Sequence, residues 1–111
     1  MHYRRLGNTG IKVSELSLGS WLTFGNQLDE KTAVDLLHSA YDQGVNFFDN
    51  ADTYADGKAE LVMGKAIQGL PREALVISSK VFYPTMTGVN GRGLSRKHIT
   101  ESIHASLKRL Q

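Results

Sequence analysis

Apolar and polar residues follow two different periods along the chain, and the two take turns. Short apolar runs of strand character are separated by longer stretches in which apolar residues recur at helical spacing. The first segment predicts a hairpin. Residues 3–6 and 11–13 flank Gly7-Asn8-Thr9-Gly10, whose two glycines supply the positive φ values that such a turn needs. A strand is expected over residues 15–18, ending at Gly19, and then a loop over 20–28 that holds the only tryptophan, Trp21. Asp29, a good N-cap residue, predicts the start of a helix. Ala33, Leu36, Leu37, Ala40 and Tyr41 follow at i, i+3, i+4, i+7 and i+8 and so share one face. Gly44 stands where a helix is commonly closed. A strand over 45–49, a loop over 50–57 and a helix over 58–68 come next, with Leu61, Val62 and Ile67 facing inward and Gly69 after the end. Residues 75–80 predict a third strand, and a long loop with Pro84, Gly88, Gly91 and Gly93 follows it. The last helix starts from Ser95 as N-cap, carries Ile99, Ile103, Leu107 and Leu110 on its inner face, and is still running at Gln111.

The order is therefore a hairpin followed by β-α-β-α-β-α. Strands separated by helices run parallel and are joined by right-handed crossovers. Two α/β architectures satisfy this: a doubly wound open sheet, or an eight-fold barrel cut short. Three parallel strands make a poor core by themselves, and the final helix has no strand to return to. An entry hairpin before the first βα unit suits a plug at the closed end of a barrel. A complete (β/α)8 TIM barrel takes about 250 residues. The expectation is that this chain holds the N-terminal hairpin and about three of the βα units of one such barrel. Alone, such a piece would expose apolar strand edges and tend to associate.

Composition narrows the function classes. The 111 residues are 41% hydrophobic and 22% charged, which is ordinary for a globular chain. Thirteen Lys+Arg against 11 Asp+Glu leave a net charge of +2, too small a surplus to argue for nucleic acid or an anionic membrane. There is no cysteine, so disulfides, thiolate nucleophiles and Cys-type zinc sites are excluded. No apolar run approaches the roughly 20 residues that span a bilayer. No apolar stretch follows Met1-His2-Tyr3-Arg4-Arg5 as a secretory leader would require, so no membrane insertion is expected and the cytoplasm is the expected compartment.

Parallel α/β folds gather function at the carboxyl ends of their strands. Here those ends are Gly19-Ser20-Trp21, Asp49 with its loop, and Lys80. If the second and third of these strands are neighbours, Asp49 and Lys80 stand side by side, and Tyr54 is presented close by. A phenol titrates near about 10 in water, and a cation within a few ångströms favours its ionised form. An aspartate keeps that cation charged and in place. Asp49, Lys80 and Tyr54 can thus form a proton relay with Tyr54 as donor to a carbonyl oxygen. The hydride for such a reduction must come from a cofactor, usually a nicotinamide. The plainer alternative is an ion pair at adjacent strand ends beside a packed tyrosine.

Other signals carry less. Gly7-x-x-Gly10 opens no helix and is no dinucleotide fingerprint, and there is no P-loop. His2, His38, His98 and His104 lack metal-ligand spacing, so no metal site is expected; surface or hydrogen-bonded histidines are the favoured reading, with His98 and His104 on different helix faces. Arg92, Arg96, Lys97 and His98 form a basic cluster that reads as a solvated face in preference to a phosphate site. Trp21-Leu22-Thr23-Phe24 either lines an apolar pocket at the rim or caps the core.

The run Gly44-Val45-Asn46-Phe47-Phe48-Asp49-Asn50-Ala51-Asp52-Thr53-Tyr54, continued through Lys58-Ala59-Glu60 to Gly64, closely resembles the signature of aldo-keto reductases. Ile77-Ser78-Ser79-Lys80-Val81-Phe82 resembles the strand that carries their lysine. Residues 19–25 and 93–99 are similar to the branch related to voltage-gated potassium-channel β-subunits. The resemblance covers essentially the whole chain, with the motifs in the same order. It implies that residues 1–111 are the N-terminal portion of a single barrel domain that reduces small aldehydes or ketones with NADPH. It also implies that Asp49, Tyr54 and Lys80 are members of a catalytic tetrad whose fourth position lies beyond Gln111. By the same resemblance Ser20, Trp21, Gln27 and Asp49 would touch NADP(H), and most of the adenosine-phosphate site would lie further along the barrel. The β-subunit likeness implies a second function class, a regulatory subunit that binds NADP(H), and leaves homo-oligomerisation open; an inactive barrel fragment is the third reading. Asn50 stands where the family often has threonine, and Ala55-Asp56 replaces a common glycine; both are expected to adjust the nicotinamide pocket.

Overall fold

The computed structural model describes residues 1–111. Strands β1 (Tyr3–Arg5) and β2 (Lys12–Ser14) form the antiparallel hairpin, with Tyr3 opposite Ser14 and Arg5 opposite Lys12. Its turn passes through Gly7 and Gly10 at φ 54° and 82°, which a residue with a side chain adopts only with strain. The hairpin is fastened to the amino end of the next sheet. Ser14 N–H donates to Asn46 Oδ1 (2.7 Å), Asn46 Nδ2 donates to the Lys12 carbonyl (3.0 Å), and the Tyr3 hydroxyl donates to the Gly44 carbonyl (2.8 Å).

The remaining chain is three successive βα units. Strand β3 (Leu18–Gly19) leads to helix α1 (Glu30–Asp42), β4 (Phe47–Asp49) to α2 (Lys58–Ala66), and β5 (Val76–Ser78) to α3 (Arg96–Leu110). The three strands form one parallel sheet in the order β3-β4-β5. Gly19 pairs with Asp49 and Asp49 with Ser78, so the carboxyl ends of all three strands lie level. The strands are shorter than their apolar runs. At β3 this has a local cause: the Ser14 hydroxyl donates to the Leu16 carbonyl at 2.6 Å and bends the chain away before Leu18.

Asp29 caps α1 as its sequence position predicts, accepting from Thr32 N–H at 2.9 Å and from the Thr32 hydroxyl at 2.7 Å. Those bonds hold the Asp29 carboxyl below the usual aspartate range. The core lies on one side of the sheet, where Phe48 meets Phe24, Leu37, Val62 and Met63. Inside the run 21–24 the two readings divide: Phe24 is buried in the core, while Trp21 and Leu22 are exposed.

The inner helix faces differ from expectation at several leucines and isoleucines. On α1 the buried stripe centres on Ala33 and Leu37, with Val34, Ala40 and Tyr41 packed beside it, and Leu36 falls outside. Helix α2 lies between α1 and α3 and buries Ala59, Val62, Met63, Gly64 and Ala66. Small residues permit that double contact, and Leu61 is left exposed. At Gly64 a Cβ would strike the carbonyl of Arg109, so α3 is held at a distance that only glycine allows. The largest departure is α3. It turns His98, Ser102 and Ser106 inward, with Leu110 partly buried, and leaves Ile99, Ile103 and Leu107 40%, 49% and 58% exposed. Ile99 and Ile103 border an open hollow of about 270 Å³ beside the end of β5. The polar stripe faces α2, where Arg109 meets the wholly buried Glu60.

Candidate active site

Strand alternation sets the site. Asp49 and Ser78 are paired residues on neighbouring strands, and Lys80 is two residues past Ser78, so all three emerge on the same face of the sheet. The Lys80 ammonium donates to Asp49 Oδ2 (2.7 Å) and Oδ1 (2.8 Å), to the Asn50 carbonyl (2.7 Å) and to Tyr54 Oη (3.3 Å). Ser78 Oγ donates to Asp49 Oδ1 at 2.7 Å and fixes the carboxylate from the other side. Backbone bonds bind the loop to the strand. Asn50 N–H donates to the Ser78 carbonyl (2.9 Å) and Asp52 N–H to the Lys80 carbonyl (3.2 Å).

The Tyr54 backbone is delivered by a tight turn. Tyr54–Gly57 makes one 3-10 turn in which Ala55, Asp56 and Gly57 all take left-handed conformations, at φ 49°, 53° and 85°. Successive left-handed residues reverse the chain into α2 while the Tyr54 ring stays at the rim. The ring is gripped from two sides. Trp21 stacks on it with centroids 6.2 Å apart and planes 26° apart, and Lys80 Nζ lies 5.0 Å from its centre.

Partial burial disfavours the Lys80 ammonium, but hydrogen bonds to Asp49 and Tyr54 and the attraction of Asp49 outweigh it and hold its pKa above the usual lysine value. Lys80 is therefore a charged donor throughout the neutral range. An ammonium has no lone pair to accept with, so its contact to Tyr54 Oη leaves the phenol's own proton free for another acceptor.

Beside Tyr54 opens a hollow of about 480 Å³ lined by Trp21, Leu22, Asn26, Thr53, Ala55 and Tyr83. Ser20 lies behind it, wholly buried, and its hydroxyl is spent on the Asp49 carbonyl at 3.0 Å. Gln27 is exposed in the turn between Phe24 and Leu28. Asn50 was expected to adjust the pocket, but its side chain turns away from the rim and is wholly buried, donating to Met63 Sδ at 3.6 Å; Ala55 of the other departure does line the hollow.

His98 corrects another expectation. It is neither on the surface nor hydrogen-bonded: the ring is fully buried and both nitrogens lack a partner. Of the basic cluster only Arg92, Arg96 and Lys97 are solvated. No group of three or more His, Cys, Asp and Glu is arranged to hold a metal ion. Sequence reasoning also missed Ser78, which its period-two spacing from Lys80 would have revealed, and Glu60, for which a buried carboxylate on a helix has no sequence signal.

This is a strand-end site of the α/β type in which a phenol, an ammonium and a carboxylate meet beside an aromatic hollow. Residues 15–111 match the family model described as the aldo/keto reductase family, and the chain belongs to that family. A protein of Arabidopsis thaliana named "Probable voltage-gated potassium channel subunit beta" is 56% identical over 99% of this chain. One of the same name from Oryza sativa subsp. japonica is 54% identical over 99% of it. The chain spans 34% of the length of each of these curated relatives. A solved structure from Pseudomonas aeruginosa, provisionally assigned as an aldo-keto reductase, matches with a TM-score of 0.80 and 38% identity, over 97% of this chain and 41% of that one. No helix is long and apolar enough to cross a membrane.

Proposed function

We propose that the three βα units belong to a (β/α)8 barrel that reduces aldehyde or ketone carbonyls to alcohols with NADPH, Tyr54 being the proton donor. The observation that carries this reading is the placement of the Lys80 ammonium between both Asp49 oxygens and Tyr54 Oη. The level order of the strands, the unpaired outer edge of β5 and the exposed stripe Ile99, Ile103 and Leu107 support continuation of the barrel.

The residues at the rim fit the ring end of a nicotinamide cofactor. The hollow offers the indole face of Trp21, the Asn26 amide and the Thr53 hydroxyl around Tyr54, and no cation lines it, so it suits a flat neutral group and not the phosphates. Trp21 would hold that group, with Ser20 and Asp49 at its back and Gln27 on the adjoining turn. When bound, NADPH supplies the hydride. The chain's own residues do the rest. Trp21 and Lys80 orient the Tyr54 ring, Asp49 and Ser78 hold the ammonium in place, and the Tyr54 hydroxyl aims its proton at the carbonyl oxygen as negative charge develops there. Lys80 stabilises the phenolate that remains.

The names of the plant relatives favour a second reading, a channel-β-like regulatory subunit that binds NADP(H) and turns over little. Small carbonyl substrates, self-association and a cytoplasmic setting belong to the first reading as proposals of the same standing. One experiment separates the two. Loss of NADPH absorbance is followed with 4-nitrobenzaldehyde as probe, for the wild type and Tyr54→Phe. The reductase reading expects turnover that falls by about 10²–10⁴ in the variant, with NADPH binding unchanged. Binding without turnover in the wild type supports the subunit reading, and equal turnover in the two proteins removes Tyr54 from the mechanism.

A further inference from the structure

The other face of β5 leads to a group that the relay does not contain. Ser78 and Lys80 emerge toward the site, so Ser79 between them emerges on the opposite side, toward the helices. There its hydroxyl donates to Glu60 Oε1 at 2.6 Å. Glu60 lies in the first turn of α2 and is 0% exposed. Its second oxygen accepts from Arg109 Nε at 2.6 Å, and Arg109 Nη2 is 3.4 Å from Ser106 Oγ. The Arg109 side chain in turn lies flat on Gly57, with Cδ and Nε 3.2 Å from where a Cβ would stand. Gly57 closes the left-handed turn that begins at Tyr54.

A carboxylate fully removed from water is costly and persists only where it is paired and hydrogen-bonded on both oxygens. Glu60 meets that condition, and its two partners are informative. One is the residue that precedes Lys80. The other presses on the turn that carries Tyr54. We propose that Glu60 is a positioning residue: through Ser79 on one oxygen and Arg109 on the other, it fixes the separation between the Lys80 ammonium and the Tyr54 phenol. The inference rests on the reading of those two groups as a proton relay.

Glu60 touches neither the hollow nor the relay, so its effect passes through the backbone of residues 57 and 79. A one-ångström displacement of a reacting group can cost as much as about 10²-fold in rate. Arg109 and Glu60 also bind α3 to α2, so Glu60→Gln risks the fold. Ser79→Ala is the cleaner variant, because it leaves the Glu60–Arg109 pair intact while releasing the strand end, and Ser79→Thr keeps a hydroxyl there.

The test compares wild type, Ser79→Ala, Ser79→Thr, Glu60→Gln and Tyr54→Phe in the full chain. Two readouts are taken: kcat and KM with 4-nitrobenzaldehyde, and the 15N signal of the Lys80 ammonium in lysine-labelled protein. In the wild type that signal is expected to be visible at neutral pH, because the three ammonium protons are held among the Asp49 oxygens, the Asn50 carbonyl and Tyr54 Oη, which slows their exchange. Ser79→Ala is expected to lower kcat roughly tenfold with KM and NADPH affinity within about twofold of wild type. It should also broaden the ammonium signal, and Ser79→Thr should restore both. Glu60→Gln should act in the same direction where circular dichroism shows it folded. Wild-type kcat together with a wild-type ammonium signal in Ser79→Ala overturns the proposal. Full turnover in Tyr54→Phe overturns the relay instead, and the ammonium signal then judges the hold of Glu60 alone, as it does if turnover is too low to measure.

Discussion

Lys80 reaches across from β5 to both carboxylate oxygens of Asp49 on β4, at 2.7 and 2.8 Å, while Ser78 Oγ closes on one of them at 2.7 Å. The carboxylate thereby accepts three hydrogen bonds from two groups, both carried by β5 and the residues just past it. The same ammonium donates to the Asn50 carbonyl at 2.7 Å and stands 3.3 Å from Tyr54 Oη.

Replacing Asp49 by Asn should therefore release Lys80 while keeping the shape of the site. The ammonium loses its charged partner and the attraction that raises its pKa. Turnover is expected to fall by about 10–10³-fold, with far-UV circular dichroism unchanged. Lys80→Met should fall at least as far, because it removes the cation itself. An Asp49→Asn protein as fast as wild type would mean that the ion pair only ties the two strands together.

Lys80 also gives a pH prediction. Its folded pKa lies above the unfolded value of about 10.4, so the stability it contributes is complete below that pH and is lost as pH rises through the folded value. Alkaline unfolding followed by circular dichroism should begin at lower pH in Lys80→Met than in wild type. Coincident curves would show that the hydrogen bonds of Lys80 are not retained in solution.

Asp52 behaves in the opposite sense to an ordinary surface aspartate. Burial first, and repulsion from Glu60 second, raise its pKa against the opposing pull of Ser102, Arg109 and His98. Its Oδ2 has no hydrogen-bond partner. An acid with a raised folded pKa favours folding most below its unfolded value, about 3.9, and that contribution is lost as pH rises toward the folded one. Asp52→Asn, uncharged and of the same shape, should raise Tm at pH 7 and flatten the pH dependence of stability on the acidic side. A lower Tm at pH 7 would show that the carboxylate is satisfied in solution.

Ala55 holds a left-handed conformation, φ 49° and ψ 39°, that glycine adopts without a Cβ penalty. Ala55→Gly should stabilise the protein by about 0.5–1 kcal/mol, the relief of strain less the extra entropy that glycine loses on folding. Denaturant unfolding measures it, and a loss of stability would mean that the methyl group packs usefully beside Tyr54.

Gly64 marks the closest approach of α2 and α3. Gly64→Ala would normally favour a helix by about 1 kcal/mol. Here the added methyl must displace the Arg109 backbone, and a net destabilisation of about 1–3 kcal/mol is expected. An increase in stability would refute this spacing of the two helices.

Much of this arrangement was legible in the residues alone. Apolar period, the Asp29 and Ser95 caps and the glycines at 7, 10 and 44 are local signals, because each reports a conformation that its own few residues must adopt. The order of strands and helices follows from them, and with it the expectation that Asp49, Tyr54 and Lys80 share one rim. Tertiary packing decided which helix face turned inward. Periodicity locates an apolar stripe but not its partner: α3 sets Arg109 against the buried Glu60 of α2 and leaves Ile99, Ile103 and Leu107 outside the core. The same packing decided the unpartnered burial of His98 and the inward turn of Asn50. Desolvation and pairing depend on residues distant in the chain, so only the folded geometry could settle them.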